Sequence, residues 1–492
     1  MSDSAERPWI TTLKPILKLL PEVEAPTKQV ALIERCIWTL VTLLIYLIAG
    51  QIPLYGVLNT DKDYLQWLRT LMAANRGTLT ELGMGPQMMG QMFTTVLSRL
   101  GVIGVNRHIP SERAALISLN KLASLGFTTI QASVQVYAGM YGPFASIGIG
   151  KACLIVAQLV FASLLVMLLS EILEKGWGLG KIIGASLFQT ANVCEQIMSK
   201  TVSFAYQSGT ERGTEYTGCL INLGHKLMTQ KNWKHALHDA FFRSHLPNMT
   251  EFVCTVLLFG LIIFFHGMQS SIRLKKANAP GRSGLISYPI KLLSGTGTPA
   301  LIYQTITTYF LSFSQRLFHQ LGTSSSSASR LVASLVGTWE QAEDTIGSKP
   351  MAYPTGGLAY FITPPSSIHS AIMHPLHFLG YLVLTCICSA YLSKFWAKFQ
   401  GQDVNNVRRE LSQSGLMMPG MRLQMFTKVL SRYITPAIIV GGGLYGLITT
   451  LSGVCGCFGG GSGLFIATNT ILKLYEEGME VHKADLKERK AI

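Results

Sequence analysis

Residues 147–169 read IGIGKACLIVAQLVFASLLVMLL, an apolar run whose single charge is Lys151. A helix of about 20 apolar residues spans the hydrocarbon of a bilayer, and it pairs every backbone group internally where no water is present to do so. The run therefore places the chain in membrane solvent. Working outward from it gives ten candidate spans: Ile37–Ile52, Met84–Ile103, Leu116–Tyr137, Ile147–Leu169, Ile182–Thr201, Asn248–Gly267, Thr298–Phe318, Leu376–Phe395, Tyr433–Leu451 and Gly463–Tyr475. The second, fifth and seventh are rich in Gly, Thr, Gln and Met, which suits helices that face other helices or water.

Composition agrees. The 492 residues are 48% hydrophobic and 14% charged, well below the quarter or so of charged residues usual in soluble domains. The formal net charge is +15, an excess that fits anionic lipid headgroups or nucleic acid. No zinc-finger or RNA-recognition signature accompanies it, which argues against base-specific reading and leaves rRNA phosphates open. Nine cysteines, mostly inside apolar runs, make a complete disulfide framework unexpected. Cys386-x-Cys388 and Cys455-x-Cys457 lack the second pair or nearby histidines of a metal site. Pro8, Lys14, Lys18 and Glu22 interrupt any signal-peptide core, so the first span is expected to stay in the mature chain.

Lys and Arg near the span ends set orientation. Lys14, Lys18, Lys28 and Arg35 share one side with Arg107, Arg113, Lys175 and Lys181. Arg273, Lys275, Lys276 and Arg282 join them, as do Lys394, Lys398, Arg408, Arg409, Arg422, Lys428 and Arg432 and the tail from Lys483 to Lys490. The stretch from Ala138 to Ser146 and the turn at Gly456 carry no basic residue; the loop from Ser203 to Arg243 does. With ten spans, both termini are expected on the cytosolic side. Two interruptions remain. Tyr64 to Met84 reads as a short helix with a turn at Asn75-Arg76-Gly77-Thr78, and a re-entrant element of this kind must be buried in protein or line a water cavity. Gln320 to Pro365 reads as an extramembrane loop ordered by Trp339, Tyr353 and Tyr360.

From Lys14 to Tyr475 the chain resembles the SecY family, and within it the α subunits of eukaryotic endoplasmic reticulum translocons. The resemblance rests on many short matches in one order. They are Gln51-Ile52-Pro53-Leu54-Tyr55-Gly56; Asn75-Arg76-Gly77-Thr78-Leu79 with Glu81-Leu82-Gly83; and Leu173, Lys175-Gly176, Gly178-Leu179-Gly180, Asn192 and Cys194-Glu195. Tyr288-Pro289-Ile290-Lys291-Leu292, Gly337-Thr338-Trp339, Tyr353-Pro354 and Gly356-Gly357-Leu358 follow. The resemblance implies an all-α membrane protein of ten transmembrane helices in two pseudo-symmetric five-helix halves, an inverted repeat, with a short plug helix. Its expected parts are a cytosolic segment 1–35, a half 36–203 with the plug at about 64–83, a luminal hinge loop 204–247, a half 248–477 and a cytosolic tail 478–492.

The resemblance also implies sites. A pore ring falls on Met84, Met88, Ala185, Gln189, Leu301 and Ile466, where flexible apolar groups fit around a passing chain; Ala185 and Gln189 depart from the family's aliphatic pattern. The plain alternative is helix-packing core. The plug comprises Trp67, Leu71, Asn75, Arg76, Gly77 and Thr78, against the alternative of an amphipathic helix at the interface. Arg273, Lys275, Lys276, Arg282 and Arg422 are implied in ribosome docking through rRNA phosphates, against an ordinary positive-inside excess; the family often has arginine where this chain has Pro419.

Glu195 reads as an interfacial carboxylate rather than a proton relay. The glycines at 176, 178 and 180 precede a membrane helix, so no dinucleotide site follows. Asn248-Met249-Thr250 abuts a span and is expected to remain unglycosylated. No Ser/His/Asp or Cys/His arrangement is found, and no enzyme activity, cofactor or metal is expected. The implied activity is passage of secretory polypeptides across the endoplasmic reticulum membrane and insertion of membrane proteins into it. The implied partners are the β and γ subunits of the Sec heterotrimer, the ribosome, nascent polypeptides with signal sequences, lipid, luminal chaperones and accessory translocation factors. A secondary transporter with inverted repeats and an inert scaffold are the rivals.

Overall fold

Among the described residues, five helices are long and apolar enough to cross a bilayer: Leu32–Ala49, Gly148–Glu174, Met249–Gly267, Pro375–Gln413 and Met425–Cys455. The computed structural model describes the chain except residues 1–20, 29, 58–73, 76, 102–109, 138–140, 142–143, 181–183, 211–212, 230–231, 244–245, 277–285, 294–298, 300–301, 304–305, 308–309, 312, 316, 319–326, 342–351, 366–367, 418–422 and 492. The remaining expected spans are helical but less apolar. They are α2 (Gly85–Arg99), α3 (Pro110–Tyr137), α5 (Gly184–Thr201), the described residues between 299 and 318, and the last helix, Gly460–Ala491. Gln, Thr and Ser lower the apolarity of α2, α3 and α5 and serve contacts between helices, while the last helix carries Lys and Glu from Lys473 onward.

The chain divides into two compact units, Met1–Val193 with Asn469–Ile492, and Cys194–Thr468. In the first, α1 (Leu32–Ala49) and α4 (Phe144–Glu174) pack together, as do α2 with α3 and α3 with α4. Small residues set the approach of α2 to α3: a Cβ on Gly90 would lie 2.3 Å from Ser124 Oγ and 2.8 Å from its backbone nitrogen. Polar pairs then bridge α3 and α4. Thr128 and Ser163 hydroxyls lie 2.9 Å apart, and Lys121 Nζ donates to Glu171 Oε1 at 2.7 Å. The turn after α4 is closely packed. A Cβ on Gly178 would meet Leu173 Cδ2 at 2.5 Å, and Leu179 N donates to Thr39 Oγ1 at 2.8 Å.

The second unit begins with a surprise. The segment expected as a hinge loop, 204–247, is folded: β1 (Tyr206–Thr210) pairs with β2 (Gly213–Tyr216), and α6 (Cys219–Thr229) and α7 (Trp233–Phe241) follow. Its order comes from ion pairs between residues distant in sequence, which periodicity does not reveal. The span α8 (Met249–Gly267) leads into β3 (Gln269–Lys276), which pairs with β4 (Ile286–Lys291) on one edge. Next, α9 (Ser327–Val336) precedes the hairpin of β5 (Thr338–Gln341) and β6 (Ala352–Gly356). Here Trp339 Nε1 donates to Ser314 Oγ at 3.1 Å, and the backbone of Tyr353 pairs across from Glu340. Tyr360, in the short α10 (Gly357–Ile362), stacks on His377 with centroids 4.0 Å apart.

After the short α11 (Ile368–Met373), α12 (Pro375–Gln400), α13 (Val404–Gln413), β7 (Leu416–Met417), α14 (Leu423–Cys455) and α15 (Gly460–Ala491) complete the chain. The all-α expectation thus holds for the spans, while among the described residues seven short strands lie between them. The α12–α14 contact is another small-residue seam. Ser389 Oγ donates to Gly442 O at 2.7 Å, Thr385 and Thr450 hydroxyls lie 3.0 Å apart, and a Cβ on Gly446 would sit 2.9 Å from Cys386 Cα. All nine cysteines are free thiols.

Candidate functional site

The segment read as a plug returns to the end of α1. Leu54 N donates to Gly77 O at 2.8 Å, Leu79 N to Ile52 O at 3.0 Å, and Thr78 forms a β-bridge with Pro53. Asn75 Nδ2 donates to Gly50 O at 3.3 Å, Thr78 Oγ1 to Asn75 O at 2.8 Å, and Gly77 N to the buried Glu81 carboxylate at 3.2 Å. Gly77 has φ +69°, a turn conformation that costs a glycine little. Asn75, Gly77 and Thr78 thus form a fastened turn as expected; Trp67, Leu71 and Arg76 lie outside the described residues.

From this turn the chain enters α2, and the expected ring residues diverge. Met84 is fully buried in a cluster with Tyr46, Leu187 and Phe188, so within its own unit it is packed core. Met88, one turn on, is only half-buried, and its sulfur accepts a 3.3 Å hydrogen bond from Nε2 of the buried Gln189 on α5. Ala185 lies on α5, though its side chain is outside the described atoms, and Leu301 is outside the described residues. Ile466 is buried on α15, in the other unit.

The second constellation is a basic sheet. In β3 the alternation of a half-buried strand buries Ile272 and Leu274 and leaves Arg273 and Lys275 exposed. The two leucine-sized side chains anchor it in a core with Val404, Leu411, Phe426 and Leu430. On its other edge β3 pairs with β7, Lys275 opposite Met417 and Lys276 opposite Leu416. Two loops more than a hundred residues apart are thereby joined in one three-stranded sheet, order β4-β3-β7. Arg282 and Arg422 lie outside the described residues. Behind the sheet, α13 adds the exposed Arg409 and also Arg408, whose Nη1 donates to Thr427 Oγ1 at 3.2 Å. Burial, together with the Glu410 charge, pushes the Tyr288 hydroxyl above its usual range and keeps it neutral beside these cations.

Comparison with known proteins decides what these parts belong to. The SecY family profile matches residues 78–475, and that described as the plug domain of Sec61p matches residues 44–77. The chain belongs to the SecY family. A curated relative, the protein transport protein SEC61 subunit alpha of Neurospora crassa, is 34% identical over 469 residues, 95% of each chain. Among solved structures, one described as a protein-conducting channel aligns with TM-score 0.68 at 23% identity, covering 96% of this chain and 97% of that one. Sec61 in the canine ribosome-channel complex from the endoplasmic reticulum aligns with TM-score 0.67 at 23% identity, with the same two coverages. The yeast Ssh1 complex bound to the yeast 80S ribosome gives TM-score 0.68 at 25% identity over 94% of this chain and 93% of that one. The chain is a multi-pass membrane protein with the SecY channel fold.

Two contacts escaped sequence reasoning. The chain before α1 is tethered to the turn after α4: Lys175 Nζ donates to Glu22 Oε1 at 2.8 Å and to Val23 O, while Trp177 Nε1 donates to Glu24 O at 2.8 Å. That hydrogen bond from Lys175 holds the Glu22 carboxyl below the usual carboxylate range. The other is the ion cluster around Glu215. A clustering of acids and bases at 215, 226, 239 and 243 was the only sequence signal for it.

Proposed function

We propose that this chain is the pore-forming subunit of a protein-conducting channel in the endoplasmic reticulum membrane, with both termini cytosolic. Secretory polypeptides cross through it, and apolar signal sequences leave it sideways into lipid. The observation that carries this reading is the junction of the fastened plug turn with α2. A segment matched by the plug profile is stitched to the end of α1, and the next helix presents the half-buried Met88 beside Gln189. Polarisable, flexible thioethers fit a seal that must close around many sequences. Met88, Gln189, Leu301 and Ile466 are proposed as the constriction, with Ala185 on the same helix as Gln189 and Met84 as its packed base.

Docking is assigned to the basic sheet. Arg273 and Lys275 project from one strand, and Lys276, Arg282 and Arg422 belong to the two loops that the sheet joins. Such cations gain affinity for rRNA phosphates by releasing counterions, and the family's Sec61 and Ssh1 structures are ribosome complexes. Small β and γ subunits complete the proposed heterotrimer. The tethered stretch from Glu22 is the surface offered to γ, and luminal chaperones are the proposed source of pull for chains that no ribosome pushes.

The deciding experiment places photoreactive groups at Met84, Met88 and Leu301 and stalls a nascent secretory chain in the channel. Crosslinks at Met88 and Leu301 that require a functional signal sequence are expected, with weaker ones at Met84. No crosslink at any of the three, with ribosome binding intact, overturns the pore reading and reopens the transporter.

A further inference from the structure

The folded segment between α5 and α8 is built inside out. Its interior is ionic. Glu215 accepts from Lys226 Nζ at 2.6 Å and from Arg243 Nε at 3.3 Å, and the side chains of all three are at least nine-tenths buried. Arg243 spends its remaining donors on Tyr216 O at 2.6 Å and Pro247 O at 3.0 Å. Its exterior carries large apolar side chains beside polar ones: Met228 is 91% exposed, Trp233 63%, Phe242 60%, Leu227 47% and Leu237 39%, with Lys234, His235 and His238 exposed among them. Water favours the reverse arrangement, and a patch of this kind on a soluble surface marks something that covers it.

Neither helix can be a span. With 11 and 9 residues, α6 and α7 are about 17 and 14 Å long, roughly half a hydrocarbon core. Both are nonetheless held against the start of the apolar helix α8. Each packs against α8. Arg243 N donates to Asn248 Oδ1 at 2.8 Å, one residue before α8 begins, and Gly218 N donates to Ser203 O at 3.2 Å, two residues after α5 ends. Phe242 is thereby fixed beside the mouth of a span whose first turns expose Val253 and Val256. Lys234 Nζ lies 5.8 Å from the Trp233 ring centroid. An indole beside an amine suits the headgroup layer, where aromatic bodies bury and ammonium groups meet phosphate.

We propose that α6 and α7 lie in the headgroup–acyl boundary of the bilayer that surrounds α8, with Met228, Trp233, Leu237 and Phe242 immersed. The ion cluster is the rigid spacer that turns these side chains outward, and the segment is an interfacial anchor. The proposal stands apart from what the channel carries.

The test uses the full chain reconstituted in phosphatidylcholine vesicles, with bromine placed either near the headgroup or deep in the acyl chain. The tryptophan emission that Trp233→Phe removes is the Trp233 component. It is expected to lie to the blue, to lose most of its intensity to shallow bromine, to lose less to deep bromine, and to resist aqueous iodide. Phe242→Trp in the Trp233→Phe background should repeat the pattern. A component quenched by iodide and indifferent to bromine overturns the proposal. If it is quenched by iodide in vesicles yet shielded in native membranes, a protein rather than lipid covers the patch, and the proposal again fails.

Discussion

Arg243 shows how much one residue can organise: hydrogen bonds from four of its nitrogen atoms close a segment that carries large exposed apolar side chains. Removing Arg243 leaves Glu215 with Lys226 and takes the guanidinium donors from Tyr216 O and Pro247 O, and buried acceptors left without a donor cost about 1–3 kcal/mol each. Arg243→Met should therefore loosen residues 204–247, read as faster hydrogen exchange there with the spans unchanged. Unaltered exchange would mean that the Lys226–Glu215 pair alone holds the segment. Met88 belongs to the same scale for the opposite reason, because it is not fully packed. Met88→Asp is expected to wet the constriction and raise ion conductance in planar bilayers. Equal conductance would place Met88 outside the seal.

At the scale of elements, two devices recur. One is the small-residue seam. A side chain on Gly446 would press on Ser389 Oγ at 2.6 Å and also on the backbone of α12, at Cys386 Cα and Thr385 O, each 2.9 Å away, which cannot swing aside. Overpacking of that kind costs about 1–3 kcal/mol, so Gly446→Leu should lower the thermal transition of the purified chain, whereas Ser389→Ala should lower it less. The other device is strand alternation, which turns Arg273 and Lys275 outward while Ile272 and Leu274 hold the strand to the core. Charge reversal at Arg273, Lys275 and Lys276 should weaken co-sedimentation with ribosomes and flatten its salt dependence, each lost phosphate contact reducing the slope by about 0.7–0.9. Unchanged co-sedimentation would remove the sheet from docking. The cations themselves were visible in the sequence. Their assembly was not, because the β3–β7 pairing joins loops whose separation no periodicity bridges.

For the molecule as a whole, the chain before the first span is held by a carboxylate. Glu22 ionises more readily when folded because Lys175 donates to it. A carboxyl with a depressed folded value contributes stability that is present above its ordinary range and lost as pH falls through it. Protease protection around Glu22 should thus persist at neutral pH and fade on acidification. Glu22→Gln should flatten that pH dependence; a retained acid step would place the tether elsewhere. The contribution is small, since Glu22 remains largely exposed.

That the chain lives in a membrane, roughly where its helices run, and which family it resembles were all readable from the order of its residues. Apolar run length and order along the chain are local properties, and bilayer thickness converts them directly into spans. The turn at Asn75–Thr78 and the packed aromatics Trp339 and Tyr360 were legible for a similar reason: each announces itself within a few residues. Folding in three dimensions was needed to make Met84 core while leaving Met88 half-buried, to join two basic loops in one sheet, and to close the segment after α5 around a buried carboxylate. Those outcomes depend on which side chains meet across tens or hundreds of residues. Burial and ion pairing are set by that meeting rather than by any residue's own chemistry.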